Sequence, residues 1–162
     1  MPGFQNSLAA VKRISQLVAA LLLLGVLSTA DGARPGRISK VLPHWLDLQG
    51  RHTLSPSLLE RDAYQAKLLA DRSLCSGIRF DIKWANKNNG NVKLQLELRV
   101  TDEAKPIVRE QAVKPSRRGG WDAVTLDGDA FRAIGKIIAW RVRLLNGDIE
   151  LAERRSFLWI ES

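Results

Sequence analysis

The stretch KIIAWRVRLLNGDIELAERRSFLW, residues 136–159, decides the fold. It consists of two runs in which apolar and polar residues alternate, joined by Asn146-Gly147. This arrangement is the strongest short-range signal for a β-hairpin, because a type I′ turn needs positive φ at both central residues. With Asn146 and Gly147 as the whole loop, Leu144 faces Ile149 on the apolar side. The stretch therefore predicts two antiparallel strands, apolar on one face and charged on the other.

The charged residues of this stretch predict one irregularity. On the polar side Arg143 faces Glu150, an opposite-charge pair that suits a solvated sheet surface. Further along, Glu153 and Arg155 fall on the nominally apolar face and interrupt it. We therefore expect either a β-bulge near Arg154 or a face that is open to solvent there.

Alternation with period two recurs through the rest of the chain. Residues 78–84 and 92–100 alternate most clearly and flank a polar segment, which predicts a second hairpin. Weaker runs predict strands at residues 38–42 (ended by Pro43), 44–50, 107–113 and 121–126. Short strands at this spacing, joined by turns, predict a mainly β fold: an antiparallel, immunoglobulin-like β-sandwich of about seven strands. A barrel is the alternative.

One amphipathic α-helix is predicted near residues 57–70, inserted among the early strands. Ser57 is a suitable N-cap, and Glu60 follows three residues later, as in a capping box. Apolar residues recur at helical spacing, namely Leu58, Leu59, Ala63, Ala66, Leu69 and Ala70. We expect this stripe to be buried against an edge or end of the sheet, because an amphipathic helix turns its apolar face inward.

The N-terminus has the order of features of a secretory signal peptide. Lys12 and Arg13 precede the apolar run 17–27, and small residues lead up to Ala30. A membrane-spanning helix needs about 20 apolar residues, so an uncleaved anchor is the alternative, with membrane contact through this segment alone. We predict export to the periplasm or the extracellular space, with cleavage after Ala30. The predicted organisation is a signal-peptide helix at residues 1–30, an extended lead-in at 31–37 and a single β-sandwich domain at 38–162.

Charge and cysteine content restrict the partners. The formal net charge is +8, and loss of Lys12 and Arg13 with the signal peptide lowers it to +6. Outside the cytoplasm a basic surface meets anionic lipid or polysaccharide rather than nucleic acid. The basic residues are, however, dispersed at alternate strand positions, as on an ordinary solvated sheet. Cys75 is the single cysteine, so the core is held by packing without an internal disulfide.

The search for catalytic chemistry finds no recognisable motif. His44 and His52 are the two histidines, and a small hydrolase built on them would need Asp47 and Asp62 to converge with them in a cleft. We therefore predict no catalytic residue, no metal and no cofactor.

The five tryptophans supply the candidate ligand-binding residues. Trp84 and Trp140 fall in register with core positions. Trp45, Trp121 and Trp159 do not, and exposed indole rings on a sheet can stack on sugar rings. A carbohydrate-binding module would present at least two such rings, coplanar on one surface.

Three segments carry a resemblance: LDLQGRHTL (46–54), SPSLLERDAYQ (55–65) and SFLW (156–159). With these segments the chain resembles uncharacterised secreted proteins of environmental bacteria, to which no activity is attached. The strand pattern is also similar to immunoglobulin and fibronectin type III modules, although the cysteine pair of antibody-type domains is missing. The resemblance implies architecture only and no site residues.

These observations predict an exported, non-catalytic β-sandwich that acts in binding or as an envelope-associated structural or interaction module. The expected partner is an envelope protein or an anionic or neutral polysaccharide, and nucleic acid is not expected. A carbohydrate-binding module is the alternative, and a small hydrolase a more distant one. The three functions require different surface features. An interaction module requires an exposed apolar patch or an open edge strand, a carbohydrate-binding module requires coplanar exposed indoles, and a hydrolase requires converging histidines.

Overall fold

The computed structural model describes residues 35–88, 90–114, 116 and 118–160. The predicted signal-peptide helix at 1–30 and the first part of the lead-in, 31–34, lie outside these ranges. Seven strands are present in them: β1 (Gly36–Asp47), β2 (Cys75–Asn86), β3 (Val92–Val100), β4 (Ile107–Val113), β5 (Gly120–Asp127), β6 (Ile137–Asn146) and β7 (Ile149–Arg155). Two α-helices, α1 (Leu58–Ala70) and α2 (Gly128–Arg132), and a 3₁₀ turn (Arg72–Leu74) complete the fold.

The strands form two antiparallel sheets that share one apolar core. The three-stranded sheet has the order β1-β2-β5, and the four-stranded sheet the order β4-β3-β6-β7. Between them Phe80 of β2 meets Trp140 of β6 edge to face, with ring centroids 6.1 Å apart. Both sheets and α2 supply the largest fully buried side chains, among them Phe131, Ile82, Leu94, Leu96, Leu98, Leu126 and Leu144. The prediction of a mainly β chain of antiparallel strands with one early helix is confirmed, and the two sheets are compatible with a sandwich-like arrangement.

The second predicted hairpin is wrong. Residues 78–84 lie in β2 and residues 92–100 form β3, but β2 pairs with β1 and β5, whereas β3 pairs with β4 and β6. Alternation with period two specifies which face of a strand is buried, and both strands obey it. It does not specify the neighbouring strand. The connection from β2 to β3 therefore crosses between the sheets instead of folding back in one of them.

The two strands predicted around Pro43 are one continuous strand. β1 begins at Gly36, within the predicted lead-in, and pairs with β2 through Pro43, which lies opposite Phe80. Two residues later, the N–H of Trp45 points away from β2, and the nitrogen of Pro43 has the same direction. Because β1 is an edge strand, the missing N–H of proline breaks no sheet hydrogen bond.

The closing hairpin of β6 and β7 is confirmed, but its turn differs from the prediction. Asn146 pairs with Ile149, so the two-residue loop is Gly147-Asp148. Gly147 has a φ of +57°, and within the described ranges every residue with positive φ is a glycine. Positive φ at the first central residue alone indicates a type II′ turn. The predicted type I′ turn is therefore wrong, and so is the pairing of Leu144 with Ile149, whose side chain is exposed.

A β-bulge at Leu151 resets the phase of β7. Leu145 pairs with Glu150 and Leu144 with Ala152, which leaves Leu151 as the extra residue. Leu151 and Ala152 are both buried although they are consecutive. The expected irregularity is thus real but lies three residues before its predicted place at residue 154.

The helix α1 occupies the predicted position and lies against β1, at the edge of the three-stranded sheet. Ser57 is its N-cap residue with an extended backbone, but the Ser57 side chain makes no capping hydrogen bond, so the predicted capping box is not formed. None of the helices in the described part of the chain is long and apolar enough to cross a bilayer.

Candidate interaction surface

The side of α1 that contacts the sheet is mostly polar. Arg61, Tyr64 and Gln65 are partly buried there, and Leu68 is the buried residue of the helix. These residues are three and four positions apart, so they line one side of the helix. The expectation that α1 turns its apolar stripe inward is therefore wrong.

Gln65 explains this orientation, because its amide replaces a neighbouring strand at the edge of β1. Gln65 Oε1 accepts a hydrogen bond from the N–H of Trp45 (2.8 Å), and Gln65 Nε2 donates to the carbonyl oxygen of Trp45 (2.9 Å). The same amide nitrogen also donates to the carbonyl of His52 (2.7 Å). An edge strand otherwise exposes unpaired N–H and C=O groups, so a polar helix face satisfies it where an apolar one would not.

A second polar contact fixes the middle of α1. The Tyr64 hydroxyl donates to Oδ2 of Asp47 (2.7 Å), and Asp47 also accepts hydrogen bonds from the backbone (2.8 Å) and the Nε (2.8 Å) of Arg51. Burial raises the pKa of Asp47, but the bonds from Arg51 and Tyr64 outweigh burial and hold the pKa at about 2. Asp47 is thus an ionised anchor for the helix at neutral pH.

The opposite side of α1 presents the apolar stripe to solvent. The leucine side chains Leu58, Leu59 and Leu69 are 64%, 80% and 62% exposed. The alanines between them are exposed as well: Ala63, Ala66 and Ala70. We call these six residues the α1 face. Exposed apolar residues that are contiguous, unlike singly scattered ones, mark sites of interaction.

A groove of about 420 Å³ continues the α1 face towards α2. Its apolar lining includes Trp45, Leu69, Ile134 and Ile137. Arg72 holds the far wall, because its guanidinium donates to the carbonyls of Gly135 (2.7 Å) and Phe131 (2.5 Å). The same guanidinium lies 4.3 Å from the centre of the Phe131 ring. These contacts hold the Arg72 guanidinium against the wall of the groove. The groove is therefore chiefly an apolar extension of the α1 face.

The two histidines do converge, on the outer side of the three-stranded sheet. The ring centroids of His44 and His52 are 5.0 Å apart. The carboxylate beside them is Asp81, whose Oδ2 lies 3.4 Å from His44 Nε2 and 2.9 Å from an Arg79 nitrogen. Neither carboxylate named from the sequence takes part: Asp47 is bound beneath α1, and the other lies exposed at residue 62. The period-two polar side of β2, residues 79, 81 and 83, was the signal that could have indicated Asp81.

The chemistry available to this histidine pair is limited. Burial lowers the pKa of both imidazoles, although Asp81 opposes this effect at His44, so both are mainly neutral at pH 7. The Cys75 thiol lies elsewhere, buried and donating to the carbonyl of Leu68 (3.2 Å), and burial raises its pKa. Across the residues that the structure describes, no group of three or more His, Cys, Asp and Glu side chains could hold a metal ion.

The three candidate tryptophans lie in different environments. Trp121 on β5 is 51% exposed, and the ammonium of Lys83 lies 5.9 Å from its ring centre. Trp45 is half-buried and meets Phe131 edge to face. Trp159 is buried. Of the three rings, that of Trp121 is therefore the most accessible for stacking, and their ligand role stays a prediction.

The outer face of the four-stranded sheet is closed by an ionic network. Glu97 of β3 is 4% exposed and lies 2.6 Å from nitrogens of both Arg141 and Arg143 on β6. The bulge in β7 brings Glu153 opposite Arg143, and Glu153 also lies 3.7 Å from Arg141. A ribbon of arginines on this hairpin is thus neutralised within the fold.

The C-terminal segment covers this network. The buried ring of Trp159 contacts two guanidiniums, 4.7 Å from that of Arg99 and 4.8 Å from that of Arg141. Ser156 ties the segment down, because its Oγ accepts from the N–H of Trp140 (3.0 Å) and its N–H donates to the Trp140 carbonyl (2.9 Å). Trp159 therefore belongs to the scaffold of this face.

Comparison with known proteins adds no assignment: no protein-family model matches the chain, and no curated protein is significantly similar to it.

Proposed function

We propose that this chain is an exported, non-catalytic interaction module with an immunoglobulin or fibronectin type III-like β-sandwich. The observation that carries the proposal is the α1 face, an apolar helix surface turned to solvent while the polar side of the helix is bonded to the sheet. An exposed apolar surface of this kind is costly in water and marks an interaction site.

The strand order supports the architectural part of the proposal. In the immunoglobulin constant arrangement the first, second, fifth and fourth strands share one sheet. Here the fourth strand, β4, pairs with the third instead, which leaves β1-β2-β5 as the smaller sheet. Two antiparallel sheets of three and four strands in this order support a sandwich similar to immunoglobulin and fibronectin type III modules, without the constant-type position of the fourth strand.

Interaction is favoured over the two other functions considered. Sugar stacking would rest on Trp121 alone, since Trp45 and Trp159 are held by Phe131 and by two guanidiniums. Hydrolysis would rest on a histidine pair whose neighbouring carboxylate, Asp81, is already paired with an arginine. The α1 face, in contrast, consists of apolar side chains that are exposed and not packed into the core of the described fold.

In-cell photo-crosslinking tests the proposal. The full chain is expressed with its N-terminal segment in the cells that make it, with a photo-reactive amino acid at Leu59 and, as a matched control, at Val108, which is 44% exposed on β4. We expect protein adducts at Leu59 and none at Val108, in an exported product that begins at Asp31. Equal labelling at both positions, or none at Leu59, would contradict the interaction role, and a product that keeps Met1 would contradict the cleavage.

A further inference from the structure

We infer that the partner of the α1 face is a second copy of this chain, bound by antiparallel pairing of the two α1 helices about a two-fold axis. This inference rests on the proposed interaction function and names its partner. It follows from how apolar, small and charged residues are placed on the exposed side of α1.

The centre of the exposed side is narrow and made of small residues. At 100° per residue, Leu59, Ala63, Ala66 and Ala70 form one ridge along the helix. Leu58 and Leu69 lie on one flank of this ridge. Alanines at such a ridge let two helix backbones approach closely, with the leucines packing beside them.

The other flank carries the charges that select the orientation. Glu60 and Lys67 lie there, seven residues apart and both exposed. In an antiparallel pair with a two-fold axis, like flanks meet, and residues at equal distances on either side of the axis face each other. If the two-fold axis crosses the helix midway between Ala63 and Tyr64, Glu60 faces Lys67 of the second copy. By symmetry this pair occurs twice.

The same axis position also matches the apolar flank. Leu58 then faces Leu69 of the second copy, again twice. A single register therefore satisfies both flanks, which is the self-complementarity that a two-fold interface requires. In a parallel two-fold pair opposite flanks meet instead, so Glu60 and Lys67 of each copy would face the leucine flank of the other and lose their charge partners.

A lipid surface fits the α1 face less well. Helices that lie on membranes carry an excess of Lys and Arg on the polar side. The two acidic residues of α1, Glu60 and Asp62, balance its two basic residues, Arg61 and Lys67. Arg61 is also partly buried towards the sheet. The α1 face has no net charge to attract anionic headgroups.

The pairing is expected to be weak. The 13 residues of α1 span about 20 Å, so the contact is at the small end of specific interfaces. Asp62 also lies on the leucine flank, about 4.5 Å along the axis from Asp62 of the second copy, which opposes association. We expect a dissociation constant on the order of 10–100 μM.

A charge swap tests both partner and orientation. The exported product of the full chain is purified in reductant, and its dimerisation is measured by sedimentation equilibrium up to about 1 mM. Lys67→Glu and Glu60→Lys should each weaken dimerisation roughly tenfold, because each replaces two attractive pairs by two repulsive ones. The double variant should recover the original affinity. Asp62→Asn should tighten the dimer several-fold, and Lys105→Glu, in an exposed loop, is the control that should change nothing.

Cysteine pairs test the register. Along the helix axis, Leu58 of the two copies would be about 16 Å apart, whereas Leu58 and Leu69 of opposite copies would be adjacent. Leu58→Cys with Leu69→Cys should therefore be joined into covalent dimers by a thiol-specific crosslinker that spans about 10 Å, and Leu58→Cys alone should not, because helix axes about 8–10 Å apart leave the level pair within that span and the Leu58 pair far outside it. Dimers from the single variant alone would overturn the antiparallel register.

The outcomes separate this inference from the function it rests on. A chain that stays monomeric at about 1 mM, or a charge swap that fails to restore affinity, would overturn the second copy as partner. If Leu59 nevertheless crosslinks to a different protein, the interaction module stands with another partner. If a monomeric chain gives no adduct at Leu59, both proposals fail.

Discussion

Two polar clusters on opposite sheets differ in what covers them. Beneath α1, the neutral side chains Gln65 and Tyr64 bond to a strand edge and to Asp47, and the cover above them is apolar and exposed. On the four-stranded sheet, Glu97 joins two arginines, and its cover is the buried ring of Trp159. The second cluster is closed, whereas the first leaves an apolar surface outside. Burial of polar groups thus serves the scaffold in one place and turns an apolar helix face to solvent in the other.

The largest expected effect is on the closed cluster. Glu97→Ala removes the carboxylate shared by Arg141 and Arg143, so two partly buried guanidiniums lose their nearest counter-charge and keep only the more distant Glu153 and Glu150. Breaking a buried ion pair from one side costs about 3–5 kcal/mol of unfolding free energy. Urea unfolding measures the loss, with Glu103→Ala in an exposed loop as the control. A loss below about 1 kcal/mol would mean that the network adds no more than surface ion pairs do.

The next effect concerns attachment of α1. Gln65→Ala leaves the partly buried N–H and carbonyl of Trp45 without their partner, which costs about 1–3 kcal/mol. Gln111→Ala, at an exposed glutamine on β4, should cost almost nothing. Hydrogen exchange at the Trp45 amide should accelerate in the first variant only. Equal stability of both variants would show that water replaces the glutamine amide without loss.

The cluster beneath α1 should also respond to acid. The pKa of Asp47 is about 2 in the folded chain, against 3.8 ordinarily, so its contribution is complete above pH 4 and is lost as the pH falls towards 2. The loss amounts to about 2 kcal/mol. Asp47→Asn should remove this part of the pH dependence between pH 5 and pH 2.5, whereas carboxylates elsewhere affect both proteins equally. Parallel pH profiles for the two proteins would contradict the assignment.

The smallest effect is expected on the α1 face itself. Leu59→Ser should change the unfolding free energy by less than about 0.5 kcal/mol when measured below 1 μM, where dimers are absent. Leu68→Ala, nine residues further along the same helix but buried, should cost about 2–4 kcal/mol. A large loss for Leu59→Ser would mean that its side chain packs within the fold, and the contrast between the two helix sides would disappear.

The sequence predicts the buried faces of strands better than their neighbours. Alternation correctly marks Phe80 and Leu96 as core residues, because burial on one face requires period two. The partner of β2 depends on how the whole sheet closes, and no local pattern encodes it. In the last hairpin, Asn146-Gly147 indicates a turn, but the bulge at Leu151 decides the register from inside the packed core.

The candidate site was missed for a related physical reason. The residue spacing predicts the apolar stripe of α1, but the direction in which the stripe points depends on the edge of β1, which lies outside the helix. Within the helix sequence, Gln65 indicates this direction, because a glutamine side chain that points inward can bond to the edge of a strand. Asp81 was missed because its approach to His44 requires the pairing of β1 with β2.

The contact of Gln65 with Trp45 also bears on how early the exposed edge of β1 can be covered while the chain folds. Trp45 and Gln65 are 20 residues apart, whereas Ser39, whose carbonyl accepts a hydrogen bond from Arg154 (2.8 Å), is 115 residues from that partner. The edge of β1 near Trp45 can therefore be covered by a segment synthesised just after it, before the four-stranded sheet exists. A contact of such low sequence separation closes a short loop, which costs less conformational entropy than the distant contact of Ser39 with Arg154.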